Sequence, residues 1–193
     1  MSMKILAQLS AALIATASTA VIADPVTYTI DGSHTFVRFS YNHLGLSSQS
    51  SQFNGTTGTV VWDQEAGTAE VELVIDTTSV ETGFPLFNEH IQGEDFFNTA
   101  EYPTATFTST QVVFDGERPV SIDGELTMKG ITQPVTLEVT HFAAMPHPML
   151  QNDAIGANAT TVVNRSDFDA GMYAPHVGDE VTISISLEAI VQD

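Results

Sequence analysis

The sequence predicts an all-β protein: an antiparallel up-and-down barrel or a sandwich of eight or nine strands, with one short helix. Three observations predict it. Apolar residues alternate with polar ones at period two along most of the chain, no long stretch repeats at the helical period, and turn residues interrupt the alternation at hairpin-like spacing. Strands with one apolar and one polar face bury the apolar face against each other, which a barrel or a sandwich achieves.

Residues 1–23 carry one lysine near the start, an apolar run from Ile5 to Ala20 and small residues before Asp24, the pattern of a cleaved export signal. The run is too short to span a bilayer comfortably, and no later segment approaches the roughly 20 apolar residues that spanning requires. The expectation is therefore one exported domain over residues 24–193, with no stable membrane insertion.

Tyr28 to Ile30 form a short first strand that ends at Asp31-Gly32. Val37, Phe39 and Tyr41 alternate in the second, and the serines at 47, 48, 50 and 51 read as a polar turn. Asn54-Gly55 precedes the strand holding Val60 and Trp62. Glu65-Ala66-Gly67 then leads to Ala69, Val71, Leu73 and Ile75, set against Glu70 and Glu72. Gly83-Phe84-Pro85 places proline near a first helical turn, and Phe87 with Ile91 share one face at i, i+4, so a helix of about two turns is expected here.

Beyond that helix lies DFFNTAEYPTATFTST, from Asp95 to Thr110. Phe96 and Phe97 precede a connector, and Ala105 with Phe107 open the next strand. Asp115-Gly116 separates it from the strand bearing Val120, Ile122, Leu126 and Met128; Lys129-Gly130 then turns into Val135, Leu137 and Val139. Met145-Pro146-His147-Pro148-Met149 reads as a loop, because proline donates no ladder hydrogen bond. Ala157, Ala159, Thr161 and Val163 follow. The last strand is the clearest, with Val181, Ile183, Ile185, Leu187, Ala189 and Val191 on one face.

Composition removes several function classes. The chain has no cysteine, which excludes disulfides, thiolate metal sites and cysteine nucleophiles. Its five cations face 24 acids, for a net charge of −19, and such a field repels nucleic acid and anionic lipid surfaces. The six histidines show no metal-ligand spacing, and no serine sits in a nucleophile elbow. A binding protein without catalysis, metal or cofactor is the expectation.

What remains is a container. Small residues on inward faces (Ala69, Ala105, Gly124, Ala157, Ala159 and Ala189) leave room unless aromatic side chains reach across and fill it. An apolar chain occupying that room gains about 0.8 kcal/mol per buried CH₂. The expected walls are Val37, Phe39, Tyr41, Val71, Leu73, Ile75, Phe107, Leu126, Leu137, Ile183, Ile185 and Leu187. Phe87, Ile91, Phe96 and Phe97 either line one side as a wall or lid, or cover an exposed sheet edge. Inward parity also reaches Arg165, which meets a ligand headgroup together with His43 or His141, or else pairs with Asp167 or another acid.

Several separated segments resemble the YceI-like family of small secreted bacterial proteins. They are YTIDGSHTFVRFSYNHLG from Tyr28, IDTTSVET from Ile75, HIQGEDFFNTAEYPTATFTST from His90, LTMKGITQPVTLEV from Leu126, NRSDF from Asn164 and VGDEVTISISLEAI from Val177. The resemblance implies a lipocalin-like, extended, eight-stranded antiparallel barrel in the periplasm, with an elongated apolar cavity that holds a polyisoprenoid or related long-chain lipid. It also implies that a homodimer is possible. The segment from Ala143 to Asp153, rich in Met and Pro, departs from the family's pattern.

Overall fold

The structure is a computed structural model that describes residues 24–192; the leader expected at residues 1–23 lies outside the described residues. Eleven strands form one antiparallel sheet: β1 (Val26–Ile30), β2 (Phe36–His43), β3 (Ser47–Phe53), β4 (Thr56–Asp63), β5 (Thr68–Asp76), β6 (Val80–Glu81), β7 (Thr104–Asp115), β8 (Arg118–Met128), β9 (Ile131–Pro146), β10 (Asp153–Asn164) and β11 (Val177–Val191). The helix α1 spans Pro85–Ile91, with proline in its first turn as expected.

Pairing of β1 with β11 closes the sheet into an eight-stranded barrel, because the first three long strands are each broken in two. β1 and β2 both lie along β11, with Ile30 opposite Ala189 and Val37 opposite Ile185. On their other side β4 pairs with β1 and β3 with β2; β5 and β6 repeat the arrangement against β4 and β3. Asp31-Gly32 and Asn54-Gly55 are therefore breaks within long strands, where hairpin turns were expected. Neither pair of flanking strands is hydrogen-bonded to the other, so the turn chemistry bends the chain without reversing it.

Side chains hold both breaks on the ladder. At the first, the Asp31 amide donates to the Glu188 carbonyl at 2.9 Å, and the buried Thr35 hydroxyl donates to that same carbonyl while accepting the Glu188 amide at 3.1 Å. At the second, the Ser79 hydroxyl accepts the amides of Asn54 and Gly55 at 3.1 and 2.8 Å. Gly58, just beyond, has φ of 146°, and a Cβ there would sit 2.0 Å from the Glu72 carbonyl oxygen. Only glycine fits that approach.

Two other segments differ from expectation. The serine-rich stretch from Ser47 is strand β3, and the reversal lies at residues 44–46, where Leu44 and Gly45 take positive φ. Met145 and Pro146 end β9, opposite Ala154 and Asp153, so the loop begins at His147.

Candidate functional site

The barrel interior holds two chambers along its axis. The upper chamber lies toward the end where β4 turns into β5 and β9 into β10; it has a volume of about 70 Å³ and an apolar lining that includes Val71, Leu73, Leu137, Ile185 and Leu187. Trp62 and Phe142 reach into it and meet edge to face at 5.6 Å. The lower chamber, about 230 Å³, lies toward the helix; Val37, Phe39, Tyr41, Leu126 and Ile183 supply its strand walls.

Ile75 and Phe107 are buried among the strands and line neither chamber. Phe107 sits between Leu73 of the upper lining and Leu126 of the lower. Its ring lies flat on the wall over Gly124, where a Cβ would approach Phe107 Cζ to 2.5 Å. Glycine at this position leaves room for the ring between the two linings.

The segment from Thr82 to Pro103 closes the lower chamber where β6 runs on without β7 beside it. The adjacent phenylalanines divide the work. Phe97 turns inward and meets Phe39 at 5.7 Å and Phe53 at 5.2 Å, both edge to face. Phe96 turns toward the opening, 5.0 Å from His90 and 6.4 Å from Tyr173. Phe87 and Ile91 join the same lining, so this segment is a wall of the chamber as well as an edge cover. A left-handed Asn98 (φ 46°) and amide bonds from Phe97 to the Ile91 carbonyl and from Thr99 to Gln92 fix its path.

Two cations tie the connectors down. Arg165 lines the lower chamber, but its guanidinium donates to the carbonyls of Gly178 at 2.8 Å, Val177 at 2.9 Å and Ala170. Backbone carbonyls take the place of the expected Asp167 partner, and they anchor the chain that returns to β11. Burial pushes the Arg165 pKa down; Asp179 and Tyr41 act against that shift. Lys129, which the sequence suggested only as a turn residue, is buried and bridges the two connectors, donating to the carbonyls of Glu94 at 3.1 Å and Asp169. It also lies 3.4 Å from the Asp169 carboxylate.

Of the expected headgroup contacts, His43 reaches the lower chamber near Tyr41 and Arg165. His141 does not. A bulge puts Asn158 opposite His141 but Ala159 opposite Val139, and that one-residue slip turns His141 outward while Phe142 faces in. The exposed His141 lines an outer groove with His34 and His147. His90, on the helix, joins the lining beside Phe87. Burial raises the Tyr41 pKa, so its hydroxyl stays neutral at the chamber wall.

Outside the chambers, Asp31, His34 and Glu188 bring ligand-type atoms within 4.8 Å of one another at the first strand break. The His34 Nδ1 and an Asp31 carboxylate oxygen lie 2.8 Å apart, and Asp31 also accepts the amide and hydroxyl of Ser33. Sequence spacing could not reveal this trio, since Glu188 comes from the last strand.

A profile for the YceI-like domain matches residues 28–189. The protein YceI of Escherichia coli O157:H7 is 38% identical over 185 residues, covering 94% of each chain. Among solved structures, BcnA of Burkholderia cenocepacia superposes with a TM-score of 0.71 at 24% identity, over 83% of this chain and 99% of that one. A polyisoprenoid binding domain from Saccharophagus degradans, implicated in plant cell wall breakdown, superposes with a TM-score of 0.65 at 18% identity, over 86% of this chain and 99% of that one.

Proposed function

The chain belongs to the YceI-like family, and on that premise we propose that it binds a long-chain amphiphilic lipid, such as a polyisoprenoid, in the lower chamber and carries or sequesters it without catalysis. The observation that carries this reading is the chamber itself. Apolar side chains from strands, helix and connectors surround a space that the aromatic residues leave open. An alkyl or prenyl chain entering it gains about 0.8 kcal/mol for each CH₂ removed from water.

The polar groups of the lining suit an uncharged or weakly polar head. Tyr41, His43, His90, Arg165 and Tyr173 reach the chamber, and its lining holds no serine, cysteine or carboxylate among the described residues. The absence of those groups from the lining favours holding over turnover. The leader-like pattern of residues 1–23 supports a periplasmic location, where such a protein would move lipid through water. Among the described residues no helix is long and apolar enough to cross a membrane.

Native mass spectrometry and lipid extraction of protein purified from its own host test this reading. A stoichiometric long-chain lipid is expected. An empty protein that also fails to take up added prenyl lipids or fatty amides would overturn it.

A further inference from the structure

The mouth of the lower chamber is ringed by exposed apolar side chains. The turn at residues 44–46, the start of α1 and the connector before β11 all emerge at this end, and they expose Leu44, Leu46, Phe84, Leu86, Met172 and Tyr173. Leu46 is 83% exposed and Leu86 66%, although leucine on a monomer surface gains nothing from water. Contacts join the three segments. The Leu44 amide donates to the His176 carbonyl at 3.0 Å, and the Val177 amide to Tyr173 at 3.0 Å. From Tyr173 the ring contacts run through Phe96 and His90 to Phe87, whose amide bonds the Phe84 carbonyl at 2.9 Å. Rim and chamber wall are thus one continuous structure, since Phe87, His90, Phe96 and Tyr173 also line the cavity.

We propose that this rim docks the protein transiently on a zwitterionic lipid surface, with the lower chamber opening toward the bilayer. The proposal takes its purpose, though not its geometry, from the lipid-binding reading above. Charge selects the occupant. With a net charge of −19, and with exposed Glu89 on the helix and exposed Glu81 and Glu180 on the strands beside the rim, two copies facing rim to rim would repel. An anionic membrane repels it too, whereas a zwitterionic one presents no such field. Phe84 and Tyr173 supply the aromatic rings, and the leucines the apolar area, that settle at the boundary between headgroups and acyl chains. Six exposed side chains suffice for reversible attachment, far short of insertion.

The test uses lipid-stripped protein, phosphatidylcholine vesicles loaded with a prenyl lipid, and matched vesicles containing phosphatidylglycerol. Three quantities are measured: co-flotation with vesicles, the rate of prenyl transfer into the protein, and equilibrium binding of farnesol in solution. The wild type should float with phosphatidylcholine and less with phosphatidylglycerol. Leu46→Ser combined with Leu86→Ser should lower flotation and transfer rate by about tenfold or more, given the apolar area removed, with farnesol affinity unchanged. Met149→Ser with Leu150→Ser, in the exposed loop at the opposite end, should change neither. Wild-type flotation of the rim variant, equal loss in the opposite-end variant, or a rim-dependent dimer in place of vesicle association would each overturn the proposal. If farnesol fails to bind while flotation remains rim-dependent, the cargo reading falls and docking stands.

Discussion

The upper and lower halves of the barrel are made from the same alternating strands, but they enclose about 70 Å³ and about 230 Å³. The hollow half is the richer in aromatic residues: Phe39, Phe53, Phe87, Phe96, Phe97 and Phe168 all border it, against Trp62, Phe114 and Phe142 above. Aromatic content therefore does not decide whether a barrel is full. The wall does. Above the strand breaks neighbouring strands pair directly, β5 with β7 as far as Glu72 and Thr108, and Trp62 and Phe142 meet inside. Below them, a connector of side chains replaces strand pairing between β6 and β7, and its rings pack against the wall, leaving the middle open.

Lys129→Met should break this contrast most. It removes the buried charged donor that the two connectors share through the carbonyls of Glu94 and Asp169, so a loss of about 3 kcal/mol is expected in urea unfolding. Ligand retention should fall with it; a loss below about 1 kcal/mol would show that the connectors hold themselves. Phe97→Ala comes next, at about 2 kcal/mol, because its ring already faces a cavity and has less contact to lose than a fully packed phenylalanine. Lipid extraction should find it emptied, while Phe96→Ala should change the exchange rate more than the stability. If both variants alter stability alone, the pair is structural.

Trp62→Leu sharpens the comparison from the other side. Removing the ring that meets Phe142 should cost about 1–2 kcal/mol and enlarge the upper chamber. Mass spectrometry should then find longer chains bound, reaching past Phe107. An unchanged chain-length distribution would place the whole cargo in the lower chamber.

The smallest expected effect is at the first strand break. Hydrogen bonds from Ser33 and His34 hold the Asp31 pKa at about 2, and Asp31 in turn raises that of His34. The carboxylate's contribution is complete above its usual 3.8 and fades as pH falls toward about 2. The histidine's is complete below 6.5 and fades as pH rises through its raised value. Both are exposed enough that stability should shift only slightly between pH 5.5 and pH 8, as an order-of-magnitude window from these two titrations. An NMR titration of His34 in Asp31→Asn should show its pKa dropping; no change would remove the pairing.

The inward sets of the last strand and of β5 were legible because period two is a direct consequence of strand geometry, so Ile183, Ile185 and Leu187 could be assigned to the interior from sequence alone. His141 could not, since a single-residue bulge inverts parity and leaves no local mark. Nor could the strand breaks: Asp31-Gly32 and Asn54-Gly55 have the chemistry of hairpin turns, and what keeps the chain running forward is a Thr35 hydroxyl and a Ser79 hydroxyl bonded to residues far along the sequence. Lys129 illustrates the same limit. Its neighbours Glu94 and Asp169 are distant on both sides, and nothing near Gly130 points to them.

The barrel closes when β11 meets β1 and β2, the first long strand against the last. Every other join in the ring links strands that follow one another in the chain, so all can form while synthesis continues, but the final seam waits for the C-terminus. Closing a loop this long is entropically slow. Until then the sheet keeps two unpaired edges. The order in which the strands are made thus sets a delay between translation and sealing.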